Sequence, residues 1–175
     1  LSMINGVQAA FPDDAYICHI FQSKNPQIEN YLLQRCLETD IAGIILFPQD
    51  QPFFSNELLS LQLQKYPLVL IDRYLPRLDT SYVVADNRAA GALCIRHLYE
   101  LGHQRFAFVT SSDCNTFSVK HRVAGARQAA EELGLTEQAI RVVEHLDHNK
   151  KLSNYQDMFL HMVTRDRITA FIASE

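Results

Sequence analysis

Residues 43–71 contain three runs of distinct character: Gly43-Ile44-Ile45-Leu46-Phe47-Pro48, then Ser55-Asn56-Glu57-Leu58-Leu59-Ser60-Leu61-Gln62-Leu63, then Pro67-Leu68-Val69-Leu70-Ile71. The two outer runs show no alternation of apolar and polar residues. A strand with one face in water alternates; a continuous apolar run is buried on both faces, as in a parallel sheet sandwiched between helices. Between them, Ser55 has the chemistry of a helix N-cap, and Leu58, Leu59, Leu61 and Leu63 give that helix a broad leucine face. That face is either ordinary core or the seat of a partner helix. Pro48 stops the first strand and Pro67 ends the helix. The class is α/β.

The alternation continues in both directions. Leu1, Ile4, Val7 and Phe11 fall on one helical face, broken by Pro12-Asp13-Asp14. Tyr16-Ile17-Cys18-His19-Ile20-Phe21 reads as a strand. Ser23-Lys24-Asn25-Pro26 supplies a cap and a proline for the first turn of a helix running to about Thr39. After the irregular link of residues 74–81 come a short strand at 82–85, a helix capped by Asp86-Asn87 and closed at Gly102, and the strand Phe106-Ala107-Phe108-Val109. Then follow a polar loop at 111–116, a helix capped at Ser118 and ended at Gly134, a strand at 140–143, a helix around 154–164 and a strand at 168–173. The pattern opens inside a helix and closes at the carboxyl end of a buried strand, so a fragment of a longer protein is expected. A boundary near Ala85-Asp86 divides it into residues 1–85 and 86–175.

Composition limits the function. The 175 residues are 47% apolar and 21% charged, which excludes wholesale disorder, and no apolar run is long enough for a transmembrane helix. No secretory signal is legible at the start. The net charge of −4 lacks the basic excess of a surface that grips DNA or RNA. Cys18, Cys36, Cys94 and Cys114 contain no Cys-x-x-Cys pair, which argues against a zinc site and for a reducing, cytoplasmic setting. Cys18 and Cys94 lie inside apolar patterns and read as core residues.

In parallel α/β sheets, ligands gather beyond the carboxyl ends of the strands. That rule selects Asp72 and Arg73 after the strand at 68–71, Ser111 and Ser112 after the strand at 106–109, and Ser174 and Glu175 after the last strand. Ser118 and Arg122 lie one turn apart at the start of a helix pointing back to the same edge. A carboxylate, guanidinium groups and hydroxyls together suit a polyol, because carboxylates accept from hydroxyls and arginine donates in a fixed fork. The plainer alternatives are that Asp72 caps its own turn or pairs with Arg73, and that Arg122 is a solvated helix residue. Phe53-Phe54 either lines a cleft or subunit contact or is buried under its loop. No glycine-rich phosphate loop, nucleophile elbow or His-Glu-x-x-His is present, so neither a cofactor nor a metal is expected. His145 and His148 sit in a polar loop, His19 and His97 read as structural, and His103 helps satisfy a helix end.

Pro67 to Arg73, followed by Val83-Val84-Ala85-Asp86-Asn87, resembles the effector-binding domain of the LacI/GalR repressors. So do Ile41-Ala42-Gly43-Ile44-Ile45-Leu46-Phe47-Pro48, the run from His97 to Val109, Arg122-Val123-Ala124-Gly125, and Ile168 to Glu175. The ordered set spans nearly the whole chain. The resemblance implies a periplasmic-binding-protein-like fold of two Rossmann-like subdomains, with a small-molecule effector, a sugar or sugar derivative, between them. It implies effector contacts at Asp72, Ser118 and Arg122, with Arg73 as companion, Ser174 where the family often has Asn, and Glu175 where it usually has Asp. It further implies a cytoplasmic homodimer whose helix-turn-helix, of LacI or GntR type, lies elsewhere in the parent chain. A transport-associated sugar-binding protein is the alternative. An α/β enzyme fits least, for want of a nucleophile–base pair.

Overall fold

The computed structural model describes residues 2–11, 16–49, 55–110, 116–144, 146–147 and 150–174. Ser111, Ser112, Glu175, Phe53, Phe54, Cys114, His145 and His148 lie outside them. The chain forms two compact units: residues 1–42 with 49–66, and residues 43–48 with 67–175.

The first unit is helical. It holds α1 (Ser2–Ala10), α2 (Pro26–Leu37) and α3 (Asn56–Leu63). Asn25 caps α2 by accepting the Ile28 N–H at 2.9 Å, with Pro26 in the first turn, and Ser55 caps α3 by accepting the Leu58 N–H. Leu58 and Leu61 are buried, whereas Leu63 is exposed, so the leucine face is core along only part of its width.

The segment Tyr16–Phe21 is not a strand. It is irregular and joins neither sheet. Ile17 is 86% exposed, and Cys18, expected in the core, is exposed as well, as is His19. A strand exists through its ladder to a neighbour, and apolar composition alone does not supply one.

The second unit carries two three-stranded parallel sheets, as the unalternating runs required. The first has the order β1 (Ile44–Leu46), β2 (Leu68–Ile71), β3 (Ser81–Val83). Ile44 is paired with Leu68, and Val69 with Ser81. The second sheet consists of β4 (Phe106–Val109), β5 (Ile140–Val143) and β6 (Ala170–Ala173), with β4 in the centre. Phe106 is level with both Ile140 and Ala170.

Strand parity sorts the β4 side chains. Phe106 and Phe108 point to one face and Ala107 to the other, and all three are buried. On the first face α4 (Asn87–Glu100) and α5 (Phe117–Glu132) bring Ile95, Val119, Val123, Ala126 and Ala129 against the phenylalanines. On the second, Met162 of α6 (Gln156–Thr164) packs with Ala107, Val143 and Ile168. Cys94 joins the first face, partly buried, as expected. Asp86 caps α4 through the Ala89 N–H at 2.9 Å. The helix closes at Gly102, whose φ of +92° suits a residue without a Cβ, and the next N–H, of His103, donates to Leu98.

The pairing of α4 with α5 is unusually close. A Cβ at Gly91 would lie 1.9 Å from the Arg122 carbonyl oxygen, and one at Gly125 would lie 2.0 Å from that of Arg88. Each glycine therefore receives the backbone of the opposite helix. This crossing fixes where Arg122 leaves α5.

Candidate functional site

Asp72 follows directly on β2, at the strand end where the topology rule placed it. Its backbone is left-handed, with φ of +65°, and its N–H donates to the Val83 carbonyl at 2.9 Å. Among non-glycine residues, Asp and Asn tolerate this conformation best, and strain of this kind clusters at functional sites. The carboxylate lies 4.0 Å from the Arg73 guanidinium, so part of the plainer expectation, that the two side chains pair, is met. Arg73 is largely buried and its guanidinium sits 5.2 Å above the Phe47 ring, a cation–π contact at the end of β1.

A prediction separates the Asp72 backbone from its charge. Asp72→Asn removes the charge, keeps the tolerance for a left-handed backbone, and is expected to leave stability within about 0.5 kcal/mol. Asp72→Ala adds a cost of about 1 kcal/mol, because alanine keeps the Cβ crowding but lacks the short polar side chain that offsets it by local hydrogen bonding. Denaturant titration measures both. Equal stabilities for the two variants would show that backbone conformation does not select the residue here.

Arg122 is not a solvated helix residue. It is half-buried, its Nε donates to Asn87 Oδ1 at 2.8 Å, and its Nη1 donates to the Ser174 carbonyl oxygen. Asn87 is 3% exposed and also donates from Nδ2 to the Ala85 carbonyl, which fixes the amide orientation. The Ser174 N–H is spent on Val109, so this residue continues the β6–β4 ladder to the sheet edge. The Ser174 hydroxyl is buried with no hydrogen-bond partner among the described residues.

Ser118 is not the cap of α5. The cap position is Thr116, which makes no side-chain capping bond, and Ser118 is the second residue of the helix. Its side chain, one turn before Arg122, is buried, and no described residue hydrogen-bonds its hydroxyl.

The two strand edges meet through aromatic rings. Tyr74 stacks on Tyr82 at 4.7 Å and meets Phe117 edge-on at 4.0 Å; Phe117 lies 4.1 Å from His121. The Asp72–Tyr74 turn is thereby held against the first turn of α5. Thus Arg122, Ser118 and Ser174 gather at the edge of the second sheet, with Asp72 and Arg73 beside them across these rings. Asn87 and the aromatic group escaped the sequence reading. In the sequence Asn87 reads as a capping residue, and its one further signal is its position at the carboxyl edge of a strand.

Burial, with the Arg88 and Lys120 charges nearby, lowers the His121 pKa below its ordinary 6.5. The folded chain then takes up a proton here less readily than the unfolded chain. Stability from this group is complete above the unfolded value and declines as pH falls through 6.5 toward the folded value. His121→Phe keeps the ring packing and removes the titration. Between about pH 7.5 and pH 5.5 the variant is expected to lose less stability than the parent. Parallel pH profiles from thermal unfolding would refute this origin.

The arrangement offers a carboxylate, two guanidinium groups and two hydroxyls that no described residue engages, beside an aromatic wall. His121, one turn from Ser118, makes no hydrogen bond to it, so these two side chains do not form a nucleophile–base pair. Among the described residues no group of three metal-ligating side chains comes together, and no helix is long and apolar enough to cross a membrane.

The family model described as "Periplasmic binding proteins and sugar binding domain of LacI family" matches residues 1–166. The chain belongs to this family. It is 24% identical over 170 residues to the arabinose metabolism transcriptional repressor of Halalkalibacterium halodurans, covering 95% of this chain and 44% of that protein. To the transcriptional regulator GalR of Escherichia coli it is 28% identical over 117 residues, covering 67% of this chain and 32% of GalR. The chain thus spans less than half the length of either. A crystal structure of a LacI transcriptional regulator from Lactobacillus brevis superposes with a TM-score of 0.73 at 22% identity, over 90% of this chain and 58% of that one. The likeness shows that the LacI-type α/β fold is shared.

Proposed function

We propose that this chain is the effector-sensing part of a transcriptional regulator, binding a small polyol, a sugar or sugar derivative. Asp72, Arg73, Ser118, Arg122 and Ser174 make the contacts. The observation that carries the reading is the oriented Arg122: two neutral acceptors, Asn87 and the Ser174 carbonyl, fix its guanidinium beside two hydroxyls that no described residue engages. A fixed arginine fork beside free hydroxyls is a recognition device, because the cost of orienting the donors is met before the ligand arrives. The names of the relatives support the regulatory setting.

In this reading residues 1–85 and 86–175 form two halves of an effector module. Effector binding shifts their arrangement and, in a cytoplasmic homodimer, the placement of DNA-binding segments elsewhere in the parent. The ligand does this through its differential affinity for the two arrangements.

The test is calorimetry and thermal shift on the full-length parent with pentoses, hexoses and their derivatives, followed by operator binding with and without the ligand found. A ligand that stabilises the protein by a few kcal/mol at saturation, returns unchanged, and alters operator affinity meets the expectation. A ligand that is chemically converted, or one without effect on DNA affinity, would refute the sensor reading.

A further inference from the structure

We infer that the ring cluster of Tyr74, Tyr82, Phe117 and His121 is a pH-operated latch. With His121 neutral it holds the edge of the first sheet against α5, and protonation of His121 releases it. The latch goes beyond the sensor reading and does not depend on it.

All four residues belong to the second unit. Tyr82 lies on β3 and Tyr74 in the link after β2, so both belong to the side of the first sheet. Phe117 and His121 lie one turn apart on α5, which covers the second sheet. Among the described residues the two sheets share no ladder. Rings join them instead. Tyr74 stacks on Tyr82 at 4.7 Å, meets Phe117 at 4.0 Å and stands 6.4 Å from His121, and Phe117 lies 4.1 Å from His121. Such a contact is held by apolar burial and weak attraction between ring faces and edges. A charge created inside it must lose water, and that cost opposes the packing directly.

His121 is the half-buried member that can change charge near neutral pH. The charged and titratable groups on the elements around it are Arg88 on α4, Lys120 and Arg122 on α5, Asp72, Arg73 and Tyr74 after β2, and Tyr82 on β3. Asp72 stands 4.0 Å from Arg73, and Arg122 is held by Asn87 and the Ser174 carbonyl. A proton on the His121 ring adds a third cation beside Arg88 and Lys120. Attraction of an imidazolium to the Phe117 and Tyr74 rings offsets part of that cost. The balance remains unfavourable: burial first, then Arg88 and Lys120, lowers the His121 pKa below 6.5. Once the rings part, the imidazole regains water and moves toward its ordinary value. The open form therefore binds the proton more tightly, and falling pH favours it. With 6.5 as the open value, the opening equilibrium rises by up to about tenfold between about pH 7.5 and pH 5.5. In the sensor reading, the same release parts Asp72 and Arg73 from Ser118 and Arg122, so effector affinity falls with pH.

The experiment is amide hydrogen exchange on the full-length protein without ligand, at about pH 7.5 and pH 5.5, with rates corrected for the intrinsic pH dependence of exchange. Residues 72–83 and the first two turns of α5 are expected to open more at the lower pH, by up to about tenfold, while residues 91–100 and 106–109 do not change. His121→Phe keeps a ring in the cluster and should abolish the difference. Should that variant fail to fold, His121→Gln, uncharged at both pH values, should open equally at both. His161→Gln, a change at an exposed histidine beside Asp166, should behave as the parent does. A parent without the difference, a difference that survives in His121→Phe, one lost in His161→Gln, or one spread equally over residues 91–100 and 106–109 would each overturn the latch. Because no effector is added, none of these outcomes bears on the sensor reading.

Discussion

Alanine at Gly125 is expected to destabilise the protein by roughly 2–3 kcal/mol, the cost of overpacking a close contact. A new Cβ would lie 2.0 Å from the Arg88 carbonyl oxygen, a rigid backbone atom, so the helices themselves must separate. The core behind them includes Val123, Ala126 and Ala129 of α5 against Phe106 and Phe108, so separation also loosens apolar packing. The same substitution at Gly6 is a control. There α1 has open space around the glycine, and alanine is expected to stabilise by about 0.5–1 kcal/mol through backbone entropy. Denaturant midpoints would measure both. A Gly125→Ala protein as stable as the parent would mean that the helices do not cross this closely. Effector affinity should fall with stability, because the facing contact, Gly91 on the Arg122 carbonyl, sets the depth of that arginine.

Arg122→Ala is expected to weaken effector binding by about 1.5–3 kcal/mol, the range for charge-assisted hydrogen bonds. Asn87→Ala should produce part of the same loss without touching ligand, because Asn87 Oδ1 orients the Arg122 Nε–H at 2.8 Å. Residues that share one network do not act additively. The double variant should therefore lose less than the two single losses combined. Calorimetry showing unchanged affinity for Arg122→Ala would remove it from the site. Strict additivity would separate Asn87 from it.

Local chemistry explains why so much of the fold was legible. Hydrophobic period, Asn25, Ser55 and Asp86 at helix starts and Gly102 at a helix end all act within a few residues of themselves. The carboxyl-edge rule likewise selected Asp72, Arg73 and Ser174 after their strands, and the helix pointing back to that edge added Ser118 and Arg122. Some local readings did not survive folding. Tyr16–Phe21 has strand composition but no ladder. Ser118 resembles a cap, yet α5 begins before it. Asn87, by contrast, reads as a capping residue but also orients an arginine in another helix.

The sequence by itself determined the α/β class, the parallel sense of the strands and the edge on which polar residues collect, because these follow from burial on two faces and from residues near in the chain. Tertiary structure alone decided which polar groups meet. Arg122 reaches Asn87 and Ser174, and Tyr74 reaches Phe117, across long stretches of chain. Such meetings depend on how closely two glycine-faced helices cross and on how two sheets come to share one unit. These are long-range packing outcomes that no local pattern encodes.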